Sequence, residues 1–283
     1  MTVTDAELAT LASSHDIISI GTAADEVRRQ RHGARTTYVR VAHVEATPGS
    51  AMTIPQSAGE VRIDGAPASR AKACDRVREL IAAVGPTPLS GFSLADLEQL
   101  AASERVTLRA LLEELKQAGL ELIAEAPFDL LKNPRLAVEE VNIAGLALAR
   151  LTIHTLPSAD VLALYREVAA LQYNVGMIHA FAPLPRAVNP AVPTTGYDDV
   201  RRVALARLFV TNIPSIQVDW SLYGPKLAQV ALTVGADDLD GVSPLDDTGE
   251  GRRRSPLEEV RRNIRAASLD PVERDGRFDP RPA

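Results

Sequence analysis

Polar side chains suited to acid and base chemistry occur inside short apolar segments of this chain. His154 lies in LTIHTL, His179 lies in MIHAFAPL and Asp219 lies in IPSIQVDW. Imidazole and carboxylate groups are the side chains that most often transfer protons in catalysis. We therefore predict His154, His179 and Asp219 as candidate catalytic residues.

The segment IPSIQVDW alternates between apolar and polar residues. Ser215, Gln217 and Asp219 share one face. A buried polar group without a partner costs about 1–3 kcal/mol. Such a face indicates either a wet cavity or pairing of these side chains, with one another or with a neighbouring strand.

A second cluster, GADDLDG, places three carboxylates within four residues, at Asp237, Asp238 and Asp240. Carboxylates at this density can bind a divalent cation or hold basic side chains. The spacing is not that of an EF-hand loop, and the five histidines show no paired metal-ligand spacing. We predict no metal site. No nucleophile motif is present either.

The pattern of elements predicts an α/β fold. Short apolar strands alternate with helices of 12–18 residues, which favours a parallel sheet, and no G-x-G-x-x-G follows the first strand. We predict a (β/α) TIM-type barrel, complete or partial, in about seven units. The expected organisation is an N-terminal helical lead-in (1–35), the barrel (36–250), and a C-terminal helix and tail (251–283).

Local signals mark some of the element boundaries. Thr107, Asn133 and Ser255 are predicted helix caps, and Ser255 begins a capping box with Glu258. Residues 48–69 predict a loop with a short hairpin at EVRID. The residues from Asp270 onward predict an extended tail.

Functional residues of such a barrel lie on the loops that follow the strands. We therefore predict an open end lined by Glu45, His154, His179, Gln217, Asp219 and Asp237. The predicted ligand-binding residues are Glu45, Asp129, Arg186, Gln217, Asp219, Trp220, Asp237 and Asp238.

Composition narrows the function classes. The chain has 283 residues, a net charge of −6 and one cysteine. One cysteine excludes a disulfide framework and any iron–sulfur cluster held by three thiolates of this chain. The absence of a basic domain argues against nucleic acid as a partner. No signal peptide and no apolar run of about 18 residues is recognisable, so we predict a soluble cytoplasmic protein without membrane contact.

Several segments resemble one enzyme family. IISIGTAADEVRRQRHGARTTYVRV, TLRALLEELKQAGLELI and, most specifically, residues 197–241 are similar to the radical-SAM enzymes of the futalosine route to menaquinone, as is the C-terminal segment RRRSPLEEVRRNIRAASLDPVERDGRF. These enzymes are aminofutalosine synthase and cyclic dehypoxanthine futalosine synthase, with the deazaflavin-cofactor synthases as cousins. The resemblance covers about two thirds of the chain and implies a (β/α) barrel.

Two departures from that family affect the expected mechanism. The family carries C-x-x-x-C-x-x-C, which holds a [4Fe–4S] cluster, where this chain has PGSAMTIPQSAGEV without a cysteine. The family's glycine-rich segment for S-adenosylmethionine falls at AEAPFD (124–129), where Glu125, Ala126 and Pro127 replace glycines and Asp129 keeps the acidic character. Both departures point away from radical chemistry.

Three functions stay open at this stage. The favoured one is a cluster-free relative that binds a small molecule of the futalosine pathway or acts as the partner of a radical-SAM homologue. The second is an enzyme that uses acid and base chemistry in the inherited pocket. The third is a radical enzyme with cluster ligands from another chain. We predict no cofactor, and the sequence is compatible with an oligomer.

Overall fold

The computed structural model describes residues 10–50, 54–155, 161–187, 195–245 and 255–282. The described strands form a closed parallel barrel in which eight strand positions follow one another around the axis. Strand β1 (Arg35–Glu45) closes the barrel by pairing with β9 (Asp238–Val242). The α/β barrel predicted from the sequence is confirmed, with one strand position more than expected.

The elements follow one another in a regular order. The remaining strands are β2 (Glu60–Asp64), β3 (Leu89–Ser93), β4 (Leu122–Pro127), β5 (Ala147–Leu148), β6 (Leu151–Ile153), β7 (Ala180–Pro185), β8 (Ser215–Asp219) and β10 (Asp270–Arg274). The helices are α1 (Ile17–His32), α2 (Arg70–Val84), α3 (Leu94–Ser103), α4 (Leu108–Ala118), α5 (Pro134–Ile143), α6 (Val161–Val175), α7 (Gly196–Phe209), α8 (Trp220–Leu232) and α9 (Pro256–Ala266). Strands β5 and β6 both pair with β4 and together fill one position.

Helix boundaries follow the capping residues. The side chains of Thr107 and Asn133 accept hydrogen bonds from the third backbone amide of α4 and α5. Ser255 and Glu258 form the predicted capping box at the start of α9, with Pro256 at its first position. These caps satisfy amides that no helical carbonyl can reach, and the predictions for them are confirmed.

Two segments differ from the sequence prediction. EVRID is not a hairpin, because Glu60–Asp64 is the parallel strand β2 between β1 and β3. The residues from Asp270 are not simply an extended tail, because β10 pairs in parallel with the first half of β1. The second half of β1 pairs with β2, so β10 occupies the place that β2 leaves open at the amino-terminal end. The partner of β10 is remote in sequence, whereas β2 pairs with the strands that come before and after it in the chain.

The apolar core lies between the outer face of the barrel and the surrounding helices. Helix α4, for example, buries Leu111, Leu112 and Leu115. The inside of the barrel is instead rich in buried charge, including Arg62, Asp238 and Asp240. No helix in the described ranges is long and apolar enough to cross a membrane.

Candidate functional site

A cavity of about 460 Å³ opens at the carboxyl ends of the barrel strands. This is the end at which barrel enzymes carry their active sites. Its lining combines charged, imidazole and hydroxyl groups, which come from His43, Arg62, Asp64, Ser93, Glu125, Arg150, His154, Arg186, Asp219 and Ser221, with a few apolar side chains. We call this space the mouth cavity.

Arg186 follows β7 and joins two walls of the mouth cavity. Its Nε donates to Glu125 Oε2 at 3.1 Å, and its Nη1 donates to Asp219. Burial opposes the charged form of Arg186, but these two carboxylates outweigh it and raise the pKa of the guanidinium. Gly241, at φ 70°, allows the end of β9 to approach this pair, since a Cβ there would lie 3.0 Å from Asp219 Oδ1.

Deeper in the cavity, Asp240 holds two arginines. Arg62 donates to both oxygens of Asp240, at 2.9 and 2.8 Å, and to Glu60 at 2.8 Å. Arg150 Nη1 lies 2.8 Å from Asp240 Oδ2. Burial favours the neutral form of Asp240, but Arg150 and Arg62 outweigh it and hold its pKa well below the usual range. Asp240 is therefore a buried carboxylate anion.

The rim of the mouth cavity carries two histidines. His43 Nδ1 lies 2.7 Å from Asp64 Oδ2, and both side chains are exposed. His154 follows β6, and its backbone amide donates to Asp129 Oδ1 at 2.7 Å, while the amide of Thr155 donates to Oδ2 at 2.7 Å. Asp129 thus uses both oxygens to order the loop that carries His154.

Asp96, in the first turn of α3, lies close to the same rim. Burial raises the pKa of Asp96, the charge of Glu125 raises it further, and His154 lowers it. A carboxyl group that is more readily protonated than usual can act as a proton donor. Glu125 and His154 line the mouth cavity, and Asp96 lies near them in α3.

A second cavity of about 570 Å³ adjoins the first. It shares His43 and Ser221 with the mouth cavity. Its other lining residues are mostly apolar or small: Val41, Ala42, Pro55, Gly241, Ser243, Pro244 and Leu245. The two cavities therefore differ in polarity.

The expected position of Asp237 and Gln217 at the open end was wrong, and Asp238, a predicted ligand-binding residue, does not line the mouth cavity either. Asp237 precedes β9 and accepts hydrogen bonds from Arg207 and Ser215. Asp238 and Gln217 bond to each other at 2.7 Å inside the barrel, on the amino-terminal side of the mouth. The structure thus answers two questions that the sequence left open. The carboxylates hold basic side chains, and Ser215 and Gln217 pair with the neighbouring strand.

Three further residues fall outside the mouth cavity. His179 precedes β7, so it lies at the amino-terminal end, where its ring stacks 5.8 Å from that of Phe278. Glu45 ends β1 and is exposed, with Ser50 as its hydrogen-bond partner at 3.3 Å. Trp220 begins α8 and packs into the apolar core with 8% of its surface exposed. The predicted position of His179 at the open end is therefore wrong, because its strand begins one residue after it. Glu45 and Trp220, which were predicted as ligand-binding residues, do not line the mouth cavity.

Of the predicted residues, the structure brings His154, Arg186 and Asp219 together in the mouth cavity. Sequence reasoning missed the contributions of Arg62, Arg150 and His43. His43 and Arg150 lie in or beside segments that were predicted as strands, where a charged or imidazole side chain was the available signal. Arg62 lies in EVRID, which was predicted as part of a loop. Asp96 gave no signal, since an acidic first turn is ordinary for a helix.

Comparisons with known proteins agree with this architecture. Residues 184–283 match the family model described as "CofH/MqnC C-terminal region". An aminodeoxyfutalosine synthase of Thermus thermophilus is 27% identical over 236 residues, 72% of this chain and 63% of that protein. The chain is thus similar in sequence to this aminodeoxyfutalosine synthase over most of its length. The resemblance drawn from the sequence to the radical-SAM-like proteins of the futalosine pathway is confirmed.

The chain also matches parts of other enzymes. A 5-amino-6-(D-ribitylamino)uracil–L-tyrosine 4-hydroxyphenyl transferase of Methanopyrus kandleri is 36% identical over 113 residues, 38% of this chain and 30% of that protein. The chain thus spans less than two thirds of the length of these curated relatives. Among solved structures, methylornithine synthase (PylB) superposes with a TM-score of 0.68 at 14% identity, covering 96% of this chain and 95% of that one. That likeness shows the fold.

The residues present do not fit the cluster that the relationship implies. A [4Fe–4S] cluster needs thiolate ligands. The single cysteine of these 283 residues, Cys74, lies in α2, beside Glu114 and Gln117 of α4 in the outer helical layer. Burial, followed by the charge of Glu114, raises the pKa of its thiol, which disfavours the thiolate. At the predicted S-adenosylmethionine segment, Ala124 and Glu125 place side chains on the cavity wall.

Proposed function

We propose that this chain binds a small polar molecule of the futalosine route in its mouth cavity, without an iron–sulfur cluster. One observation carries the proposal. The carboxyl end of the barrel keeps a cavity built from paired charges of several strands, while the only cysteine lies in the outer helical layer. Oriented charges and hydroxyls around a cavity of this size suit a polar ligand.

The first experiment compares ligands by thermal shift of the purified full chain. A ligand at about 100 times its Kd adds roughly 2.7 kcal/mol of stability, which corresponds to a rise in Tm of about 5–10 °C for a chain of this size. We expect such a rise with aminodeoxyfutalosine and none with S-adenosylmethionine. No rise with either compound contradicts ligand binding and favours a protein partner such as a radical-SAM homologue.

A matched pair of variants localises the ligand. Leu222 and Val230 are both on α8 and are 45% and 46% exposed, but only Leu222 lines the mouth cavity. We expect Leu222→Trp to reduce the ligand-induced rise in Tm, because the larger side chain narrows the cavity. Val230→Trp serves as the control and keeps the full rise. An equal effect of both variants would place the ligand elsewhere.

The cluster-free part has its own test. After anaerobic reconstitution with iron and sulfide, we expect no stoichiometric cluster, because this chain supplies one thiol where the family uses three. About four irons per chain, with a brown colour, would overturn this part of the proposal. Ligand binding would then be judged separately by the thermal shift.

Acid and base catalysis is the second candidate function. It is supported by Glu125 and His154 of the cavity lining and by Asp96 near them. A reaction that needs a proton donor would use Asp96, whose pKa is raised by burial and by Glu125. Turnover of a bound pathway compound by the wild type, lost in Asp96→Asn with ligand binding retained, would favour the enzyme. Binding without turnover favours the binding protein.

A further inference from the structure

Arg150 is the least satisfied charge of the mouth cavity. It lies between β5 and β6, its side chain is 3% exposed, and it lines the cavity. Its ion pair is with Asp240 Oδ2, at 2.8 Å from Nη1. Its Nε has no hydrogen-bond partner among the described residues. A buried guanidinium is normally surrounded by acceptors, because removing it from water is costly.

The other two arginines of the cavity are better paired. Arg62 donates three hydrogen bonds, two of them to Asp240 and one to Glu60. Arg186 donates one to Glu125 and one to Asp219. Asp240 Oδ2, the partner of Arg150, is therefore already an acceptor for Arg62. Arg150 shares a carboxylate whose two oxygens its neighbour occupies.

The surroundings of Arg150 are accordingly short of negative charge. Burial lowers the pKa of Arg150, the charges of Arg62 and Arg186 lower it further, and Asp240 only partly opposes them. For Arg62 and Arg186 the balance is reversed, and neighbouring carboxylates raise their pKa values. An added anion at Arg150 would relieve repulsion among three guanidiniums.

We propose that Arg150 forms an anion subsite in the mouth cavity, which takes a carboxylate or phosphate group of the bound molecule. The unpartnered Nε, the shared Asp240 and the adjoining space of about 460 Å³ carry this assignment. A carboxylate or phosphate oxygen accepts charge-assisted hydrogen bonds from a guanidinium. The assignment rests on the proposed use of the cavity for ligand binding, and it places the anionic end of the ligand toward the barrel interior.

Three aromatic probes test the subsite without the pathway ligand. Benzoate and phenyl phosphate carry the two candidate anions, and benzamide is the neutral counterpart of benzoate. Their Kd values are measured by calorimetry on the full chain and on Arg150→Gln, Arg150→Lys and Arg135→Gln. Arg135 is an exposed arginine of α5 that pairs with Glu139, so its substitution removes the same charge far from the cavity chemistry.

We expect the wild type to bind at least one anion at least tenfold more tightly than benzamide. Arg150→Gln should weaken the binding of that anion about tenfold or more, as the loss of a charged hydrogen bond does. Arg150→Lys should restore part of the affinity, and Arg135→Gln should change nothing. The tighter of the two anions identifies the group as a carboxylate or a phosphate.

Stability gives a second readout. Because Asp240 keeps both hydrogen bonds from Arg62, Arg150→Gln should fold with a Tm at or above that of the wild type without anion. Three results overturn the subsite: equal binding of benzamide, equal anion binding by Arg150→Gln, or no anion binding by the wild type. Each of these results can be distinguished from failure of the proposed function, because that function is tested by the thermal shift with aminodeoxyfutalosine.

Discussion

The two ends of the barrel interior differ in how completely their buried charges are paired. Toward the amino-terminal end, Asp238 receives Arg274 through two hydrogen bonds of 2.6 Å, and Gln217 and Thr37 donate to the same carboxylate. Phe278 covers the Arg274 guanidinium at 3.9 Å. At the mouth, Arg186 and Glu125 are partly exposed, and Arg150 has an unpartnered Nε.

This difference separates charges that are fully paired within the protein from charges that adjoin a cavity. At the amino-terminal end one arginine and one carboxylate satisfy each other, and the C-terminal segment that carries Arg274 and Phe278 seals them. A charge pair that is complete and sealed has no capacity left for a ligand. At the mouth, charges share partners beside open space, so a ligand can complete them.

The largest expected effect is at the sealed end. Arg274→Met leaves Asp238 buried without its main partner, so we expect a loss of about 3–5 kcal/mol in the free energy of unfolding. Urea denaturation measures this free energy. Arg150→Met is the matched control, because it removes a buried arginine of the mouth cavity. If Arg150→Met cost as much as Arg274→Met, the distinction between the two ends would fail.

The next effect is a pH-dependent one at the mouth. Burial favours the neutral form of Asp219, but Arg186 and the Leu222 amide outweigh it and lower its pKa. A lowered pKa contributes stability that is present above the unfolded value, near 3.8, and is lost as the pH falls through the folded value. Asp219→Asn should therefore cost about 1–3 kcal/mol at pH 6 and less below pH 3.8. An equal cost at both pH values would contradict the ion pair.

A smaller effect concerns the loop that carries His154. Asp129→Ala removes the acceptor of two backbone amides, so we expect a loss of roughly 1–2 kcal/mol. Faster hydrogen exchange at His154 and Thr155 should accompany it. Asp129→Asn keeps one acceptor oxygen, so its free energy of unfolding should lie between those of the wild type and Asp129→Ala. Unchanged exchange in the alanine variant would show that the loop is ordered by other contacts.

The smallest effect is expected outside the barrel. Arg135 is 60% exposed and pairs with Glu139 one helical turn away. Solvent screens such a pair, so Arg135→Gln should change the free energy of unfolding by less than about 0.5 kcal/mol. A change as large as that of Arg274→Met would mean that charge loss in general, rather than sealed pairing, governs stability.

The fold was largely predictable because its signals are local. The helix caps are formed by contacts within a few residues, as at Thr107, Asn133 and Ser255. The order of the apolar segments predicts the alternation of strands and helices. The candidate site was only partly predictable. His179 and His154 occur in similar apolar segments, but His179 precedes its strand and His154 follows its own.

Strand pairing explains the remaining misses. EVRID is a central strand because β1 and β3, the strands before and after it in the chain, flank it. The segment from Asp270 became β10 because the first half of β1 lacks a partner on that side. The pattern of residues within a short window does not show which strands will pair with one another.

The sequence by itself determined that these 283 residues carry one thiol. Its capping residues and apolar segments also determined that helices alternate with strands. Only the tertiary structure decided which carboxylates are sealed and which face a cavity. Arg62 and Asp240 are 178 positions apart, and Asp238 and Arg274 are 36 apart. Closure of the barrel brings each pair together. The Coulomb energy of a buried pair depends on that distance in space and not on position along the chain.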